Sequence, residues 1–376
     1  MSSHKWVVAR APNCGFGDQL LTLLGAFVYA KKTERNLLID WRGNNYCSER
    51  DTNWFNNIFT IESSKENRIF FSHPGIEHSL LGPPYFPNKW TQEKISSSDL
   101  PPGSAAENAA LSALVESGHD RPEPTVVFDA RIPMRTLDKQ LLRPFLENLH
   151  FNTSISEQAR TFIRSDVGEE RFIAIHLRHG NGENIGARCI YWLDPLDTFR
   201  QLIRNETYGS FHDQRLVAKS RFQDGMPDSL TSLRSDTRSE HVLYKKIKLI
   251  VEKIRSQNEE RVPVVLFTDS DQIHERLRNY VPDTVRYRKT GFSSGQGPLH
   301  NKNLESDQRE SLASDMIVEA AALKKCSYLI YFPSNFSILP RLTLPSSNQF
   351  FLRPTAANRL VHRSFNAIAS RIKRHK

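Results

Sequence analysis

Short apolar runs and stripes of helical period alternate along this chain. Residues 6–9 (WVVA) form a compact apolar run, followed by a loop rich in Gly, Asn and Pro over 11–18. From 19 to 32, Leu20, Leu23, Leu24, Phe27 and Val28 recur at helical spacing and predict a helix with one apolar stripe. A strand over 36–41 (NLLIDW), a strand over 125–129 (TVVFD) and a helix over 137–149 follow. Between 42 and 124 the regularity is absent and the pattern yields no assignment, with Pro-dense loops at 82–87 and 100–103.

The second half alternates more cleanly. Strand 172–177 leads into a Gly-containing loop, and a helix is expected at 195–203. Residues 205–240 are polar and rich in Ser, Arg and Asp, the pattern of a surface insertion. Helices at 242–256, 272–279 and 311–325 then alternate with strands at 262–267 and 328–332. Buried strands interleaved with amphipathic helices predict an α/β fold with parallel sheets. Each half carries a strand-loop-helix turn, so two Rossmann-like domains facing a cleft are expected. The boundary falls within 150–168, which gives domains 1–160 and 161–376, the second holding the insertion. A length of 376 residues suits two domains. In such open sheets, ligands collect at the carboxyl ends of the strands.

Composition narrows the function class. A hydrophobic fraction of 38% and a charged fraction of 25% are those of a water-soluble globular chain. No apolar run is long enough to span a bilayer, and the N-terminal residues lack the apolar core of a secretory signal, so a cytoplasmic protein is expected. Cys14, Cys47, Cys189 and Cys326 show no metal-type spacing and read as free thiols. The formal net charge is +9, and no acidic residue follows Glu319, whereas ten Lys and Arg run from Lys324 to Lys376. That basic end could associate weakly with an anionic membrane surface. It lacks the aromatic interleaving or motifs of a nucleic-acid binder, so no nucleic-acid partner is expected.

The densest chemistry lies just after strand 172–177, in His176-Leu177-Arg178-His179-Gly180-Asn181-Gly182-Glu183. Arg178 offers a fork of donors suited to phosphate, and Gly180 and Gly182 let the backbone approach a ligand. A second Gly-containing turn, Asn13-Cys14-Gly15-Phe16-Gly17-Asp18, precedes the first helix, where backbone N–H groups favour an anion. Asp269-Ser270-Asp271 follows the strand at 262–267. Such a DxD can hold a divalent metal. The alternative is that Asp271 caps the following helix.

Two enzyme classes fit the Arg178 loop. The string Leu177-Arg178-His179-Gly180, with Asn184 close by, resembles the histidine phosphatase and phosphoglycerate mutase family. In that reading His179 is a phosphorylated nucleophile, Arg178 holds the phosphate, and His300 is a loose candidate for the second histidine. The chain also resembles the α-1,6-fucosyltransferase family of the NodZ type. This resemblance runs from about Lys5 to Leu342 through the blocks 13–20, 37–43, 82–87, 176–185, 191–192, 267–270 and 297–300, and ends in Cys326 through Ser334.

That second resemblance implies a GT-B-like pair of Rossmann-like domains and transfer of fucose from GDP-fucose to an oligosaccharide, with inversion and no metal or other cofactor. Arg178 would be the arginine on the donor diphosphate, consistent with the positive charge a departing diphosphate needs. His176 and Glu319, with Asp315 one turn earlier, would recognise guanine. Ser334 and Asn335 would contact the diphosphate, while Gly15, Phe16 and Gly17 would form a backbone loop over the nucleotide. His179 and Asn181 belong to the same donor loop, and Asp269 would meet the ribose or base. The incoming hydroxyl needs a base. Glu183 is the first candidate, with Asp194 and Asp40 as alternatives, and Tyr191 and Trp192 could form a platform for a sugar ring. The implied acceptor is the reducing-end GlcNAc of a chitin-type oligosaccharide.

Overall fold

The computed structural model describes residues 5–10, 14–61, 69–71, 81–177, 238–268, 271–287, 289, 306–332 and 334–352. From the N-terminus the elements are β1 (Trp6–Arg10), α1 (Phe16–Lys32), β2 (Asn36–Asp40), α2 (Phe55–Ile58), β3 (Phe59–Ile61), β4 (Ile69–Phe71) and β5 (Tyr85–Phe86). Next come α3 (Gln92–Ser96), α4 (Ala105–Ser117), β6 (Thr125–Phe128), α5 (Lys139–Asn148), β7 (Leu149–Phe151) and α6 (Thr153–Phe162). Then follow β8 (Ile173–Leu177), α7 (Arg238–Ser256), β9 (Val264–Thr268), α8 (Asp271–Arg278) and β10 (Thr284–Arg286). The last are α9 (Ser306–Lys324), β11 (Tyr328–Tyr331), α10 (Ile338–Thr343) and β12 (Gln349–Phe351).

Two five-stranded sheets carry the fold, in the orders β4-β2-β1-β6-β5 and β10-β9-β8-β11-β12. Every pairing within them is parallel. The expected α/β, GT-B-like class with two Rossmann-like sheets is therefore present. The central strands are apolar throughout because both faces are covered, as parallel sheets require. All five residues of β8 (IAIHL) and of β9 (VVLFT) are buried. Each such Val, Ile or Leu contributes about 1.5–3 kcal/mol through burial.

The chain groups into two compact units. One comprises 1–160, 304–324 and 335–343, and the other 161–303, 325–334 and 344–376. Domain 161–376 was expected to be continuous, yet α9 and α10 group with the first unit. The reason is packing: α10 lies against α1, α5 and α9. The units divide between 160 and 161, inside the expected 150–168, within α6, which is followed by a π turn over Ile163–Val167 that stops at Gly168 in the left-handed region (φ 80°).

In the first unit, α1 starts at Phe16, earlier than expected, with Gly15 as its N-cap. Its burial exceeds the expected single stripe, since Leu21, Ala26 and Tyr29 are covered as well. The sheet lies on one side of α1, and α4, α5 and α10 pack on others. The described residues within 42–124 form regular elements that the pattern did not predict. They contribute β3, which pairs antiparallel with β7, the edge strands β4 and β5, and the capped helix α4. In the second unit, Ile173, Ile175, Leu243, Ile247, Val264 and Leu266 centre the core. Helix α7 begins at Arg238, so the end of the expected insertion is helical; residues 205–237 and the expected helix at 195–203 lie outside the described residues. No helix among the described residues is long and apolar enough to cross a membrane.

Candidate active site

The second sheet reverses its strand order at β8, which runs between β9 and β11. A reversal of this kind leaves a crevice at the carboxyl ends, the place where α/β sheets bind ligands. His176 sits there, 4% exposed, in register with Phe267 on β9 and Tyr331 on β11. Leu177 is the last residue of β8, and Arg178 follows it in the chain. Thr268 closes β9 just before Asp269, and the buried Ser334 follows β11. Segments holding Arg178, Asp269 and Ser334 thus begin at the carboxyl ends of three adjacent parallel strands.

Arg178, His179, Asn181, Glu183 and Asp269 lie outside the described residues, as do Asn184, Tyr191, Trp192, Asp194 and His300. Helix α8 starts at Asp271 itself, one residue before the start at Gln272 that the capping alternative assumed. Among the described residues, no group of three His, Cys, Asp or Glu is arranged to hold a metal ion. Lys289 was not singled out from the sequence. Its Nζ donates to the Thr268 carbonyl at 2.8 Å, which places a cation at the end of β9. A lone lysine in a polar stretch gives no sequence signal of this.

In the first unit, Gly15 is extended (φ −61°, ψ 150°) and the space where its Cβ would lie is open. Phe16 and Gly17 do not form a loop; they start α1. The Phe16 ring is 2% exposed, stacked on Phe59 with centroids 6.2 Å apart and edge-on to Trp54, so that side chain belongs to the core. Gly17 abuts the backbone of Asn335, where a Cβ would come within 2.1 Å of the carbonyl oxygen. The Asn335 amide donates to Asp18 Oδ1 at 2.5 Å, and Arg131 lies 3.8 Å from the same oxygen. The structure therefore brings Gly17 and Asn335 together.

Asp315 and Glu319 are four residues apart on α9, and both are buried, at 8% and 4% exposed. Together they set two carboxylates on one helix face. Asp315 and Glu319 belong to the first unit, and His176 belongs to the second.

Asp40 does not serve as a base. It is fully buried; Arg42 grips it through Nε and Nη2 at 2.9 Å each, and Arg10 Nη1 pairs with it as well. Burial alone would raise its pKa, but the two guanidiniums outweigh that and hold it below the usual carboxylate range. Arg10 and Arg42 also donate to the carbonyls of Ser97 and Ser96, so the network ties the end of β2 to α3. The Cys14 and Cys326 thiols are equally unsuited to nucleophilic work. Burial raises Cys14, and it pushes Cys326 up to about 12.

The family model described as Nodulation protein Z (NodZ) matches residues 3–221. Nodulation protein Z of Bradyrhizobium diazoefficiens is 27% identical over 355 residues, covering 93% of this chain and 82% of that protein. The Sinorhizobium fredii protein of the same name is 27% identical over 384 residues, covering 98% and 99%. Among solved structures, NodZ α-1,6-fucosyltransferase soaked with GDP-fucose superposes with a TM-score of 0.58 at 20% identity, over 91% of this chain and 93% of that one. Apo POFUT1 superposes at 0.50 with 13% identity, over 93% and 98%.

Proposed function

Because this chain belongs to the nodulation protein Z family, we propose that it transfers fucose from GDP-fucose to a GlcNAc hydroxyl of a chitin-type oligosaccharide, in α-1,6 linkage. The observation that carries this reading is the reversal of strand order at β8, where segments holding Arg178, Asp269 and Ser334 leave three neighbouring strands. Arg178 stabilises the departing diphosphate, supplying the charge that a metal provides in other transferases. His176, Asp315 and Glu319 select guanine. Its N1–H and 2-amino group are donors that a carboxylate accepts and that adenine does not match. Ser334, Asn335 and Gly15, the N-cap of α1, seat the nucleotide, with His179 and Asn181 in the donor loop. With Asp40 clamped, Glu183 is the base that takes the proton from the incoming hydroxyl, and the sugar carbon inverts.

The phosphohydrolase alternative through His179 has no support from the family or the fold relatives. The test is incubation of the protein with GDP-fucose and a chitooligosaccharide in EDTA, with products read by mass spectrometry. Fucosylated oligosaccharide is expected. Absence of product would overturn the activity, and loss of product only in EDTA would overturn the metal-free mechanism and point to Asp269 and Asp271.

A further inference from the structure

The first unit contains a cavity of about 610 Å³ that the donor chemistry does not use. Segment 46–58, the start of α6 and one face of α9 line it, and it opens to solvent. Its size falls within the roughly 300–1,000 Å³ of small-ligand pockets.

Its lining combines two kinds of surface. Tyr46, Trp54, Ile58 and Ile317 are buried, and the Tyr46 and Trp54 rings stack with centroids 5.1 Å apart. Ser48, Asn57, Gln158 and Ser314 are exposed hydroxyl and amide side chains. Apolar and aromatic surface beside amides and hydroxyls matches a sugar, whose ring faces are apolar and whose edges carry hydroxyls.

Charge narrows the ligand further. Glu49 and Glu310 line the cavity, and among the described residues no Lys, Arg or His does. The Ser48 hydroxyl donates to Glu310, fixing that carboxylate at the cavity wall. A nucleotide diphosphate would be repelled here, whereas a neutral sugar hydroxyl can donate to the carboxylate.

We propose that this cavity is a carbohydrate subsite that binds a neutral, N-acetylglucosamine-type oligosaccharide. It holds sugar residues of the acceptor, with the acetamido methyl on the apolar side and the hydroxyls on Asn57, Gln158 and Glu310. The proposal rests on the fucosyltransferase reading for its substrate, but binding tests it separately.

The experiment uses the full chain, with Ser314→Trp to fill the cavity and Asn57→Ala and Gln158→Ala to remove single amides. Ser314 is exposed on α9, so the tryptophan need not disturb the core. Chitooligosaccharide binding is followed by saturation-transfer NMR without donor, and acceptor and GDP-fucose KM are then measured separately. Ser314→Trp is expected to raise the acceptor KM by about tenfold or more, and the amide variants by severalfold, with the GDP-fucose KM held within about twofold. Unchanged oligosaccharide binding and acceptor KM in all three variants would overturn the subsite. Oligosaccharide binding that Ser314→Trp abolishes, in a wild type that transfers no fucose, would support the subsite and overturn the enzymatic reading instead.

Discussion

Gly17 and Asn335 meet backbone to backbone: a Cβ on Gly17 would lie 2.1 Å from the Asn335 carbonyl oxygen and 2.7 Å from the Phe336 nitrogen. Neither obstacle is the end of a flexible side chain, so the contact requires glycine. Beside it, the Asn335 amide bonds Asp18 and adds direction to the packing.

Gly17→Ala is therefore expected to destabilise the protein by about 1–3 kcal/mol, the usual range for overpacking. Thermal melting of the variant against wild type checks this. An unchanged melting temperature would mean that residues 335 and 336 yield at little cost.

Much of the parallel-sheet scaffold was legible because the strands at Trp6, Asn36, Thr125, Ile173, Val264 and Tyr328 are buried apolar runs, a pattern that needs both faces covered. Helix α4 was legible and missed. Ser104 and Glu107 form a capping box, and Gly118 in the left-handed region ends the helix at the expected distance. Strands β4 and β5 are only three and two residues long, too short for any period to register. The clamp on Asp40 and the Gly17–Asn335 contact are pairings between residues far apart in sequence, which local pattern does not encode. The Arg178 loop lies outside the described residues, and its reading as a phosphate grip rests on residue types alone.

The capping box at α4 gives a second prediction. Ser104→Ala removes the hydroxyl that accepts from the Glu107 backbone N–H at 3.1 Å and is expected to cost about 1 kcal/mol. Chemical denaturation reads this as a lower midpoint with an unchanged slope.

Asp40 gives a third. Its folded-state pKa lies below its ordinary 3.8, so its stabilisation is present above that value and is lost as pH falls through the folded-state value. Urea unfolding from about pH 6 to pH 2 should show wild type losing stability in acid more steeply than Asp40→Asn. At neutral pH the variant is expected to be about 3–5 kcal/mol less stable, since Arg10 and Arg42 keep their charges with no counter-charge. Parallel pH profiles for the two proteins would contradict the clamp.

Fucose transfer by Arg178→Ala and His179→Ala, assayed side by side with GDP-fucose and a chitooligosaccharide, tests the central claim most directly. Loss of at least about 100-fold in kcat/KM is expected for Arg178→Ala, the scale of removing an electrostatic clamp on a leaving group. His179→Ala is expected to retain measurable transfer. The account is contradicted if Arg178→Ala transfers fucose as wild type does, or if the wild type instead hydrolyses phosphomonoesters and His179→Ala abolishes that hydrolysis.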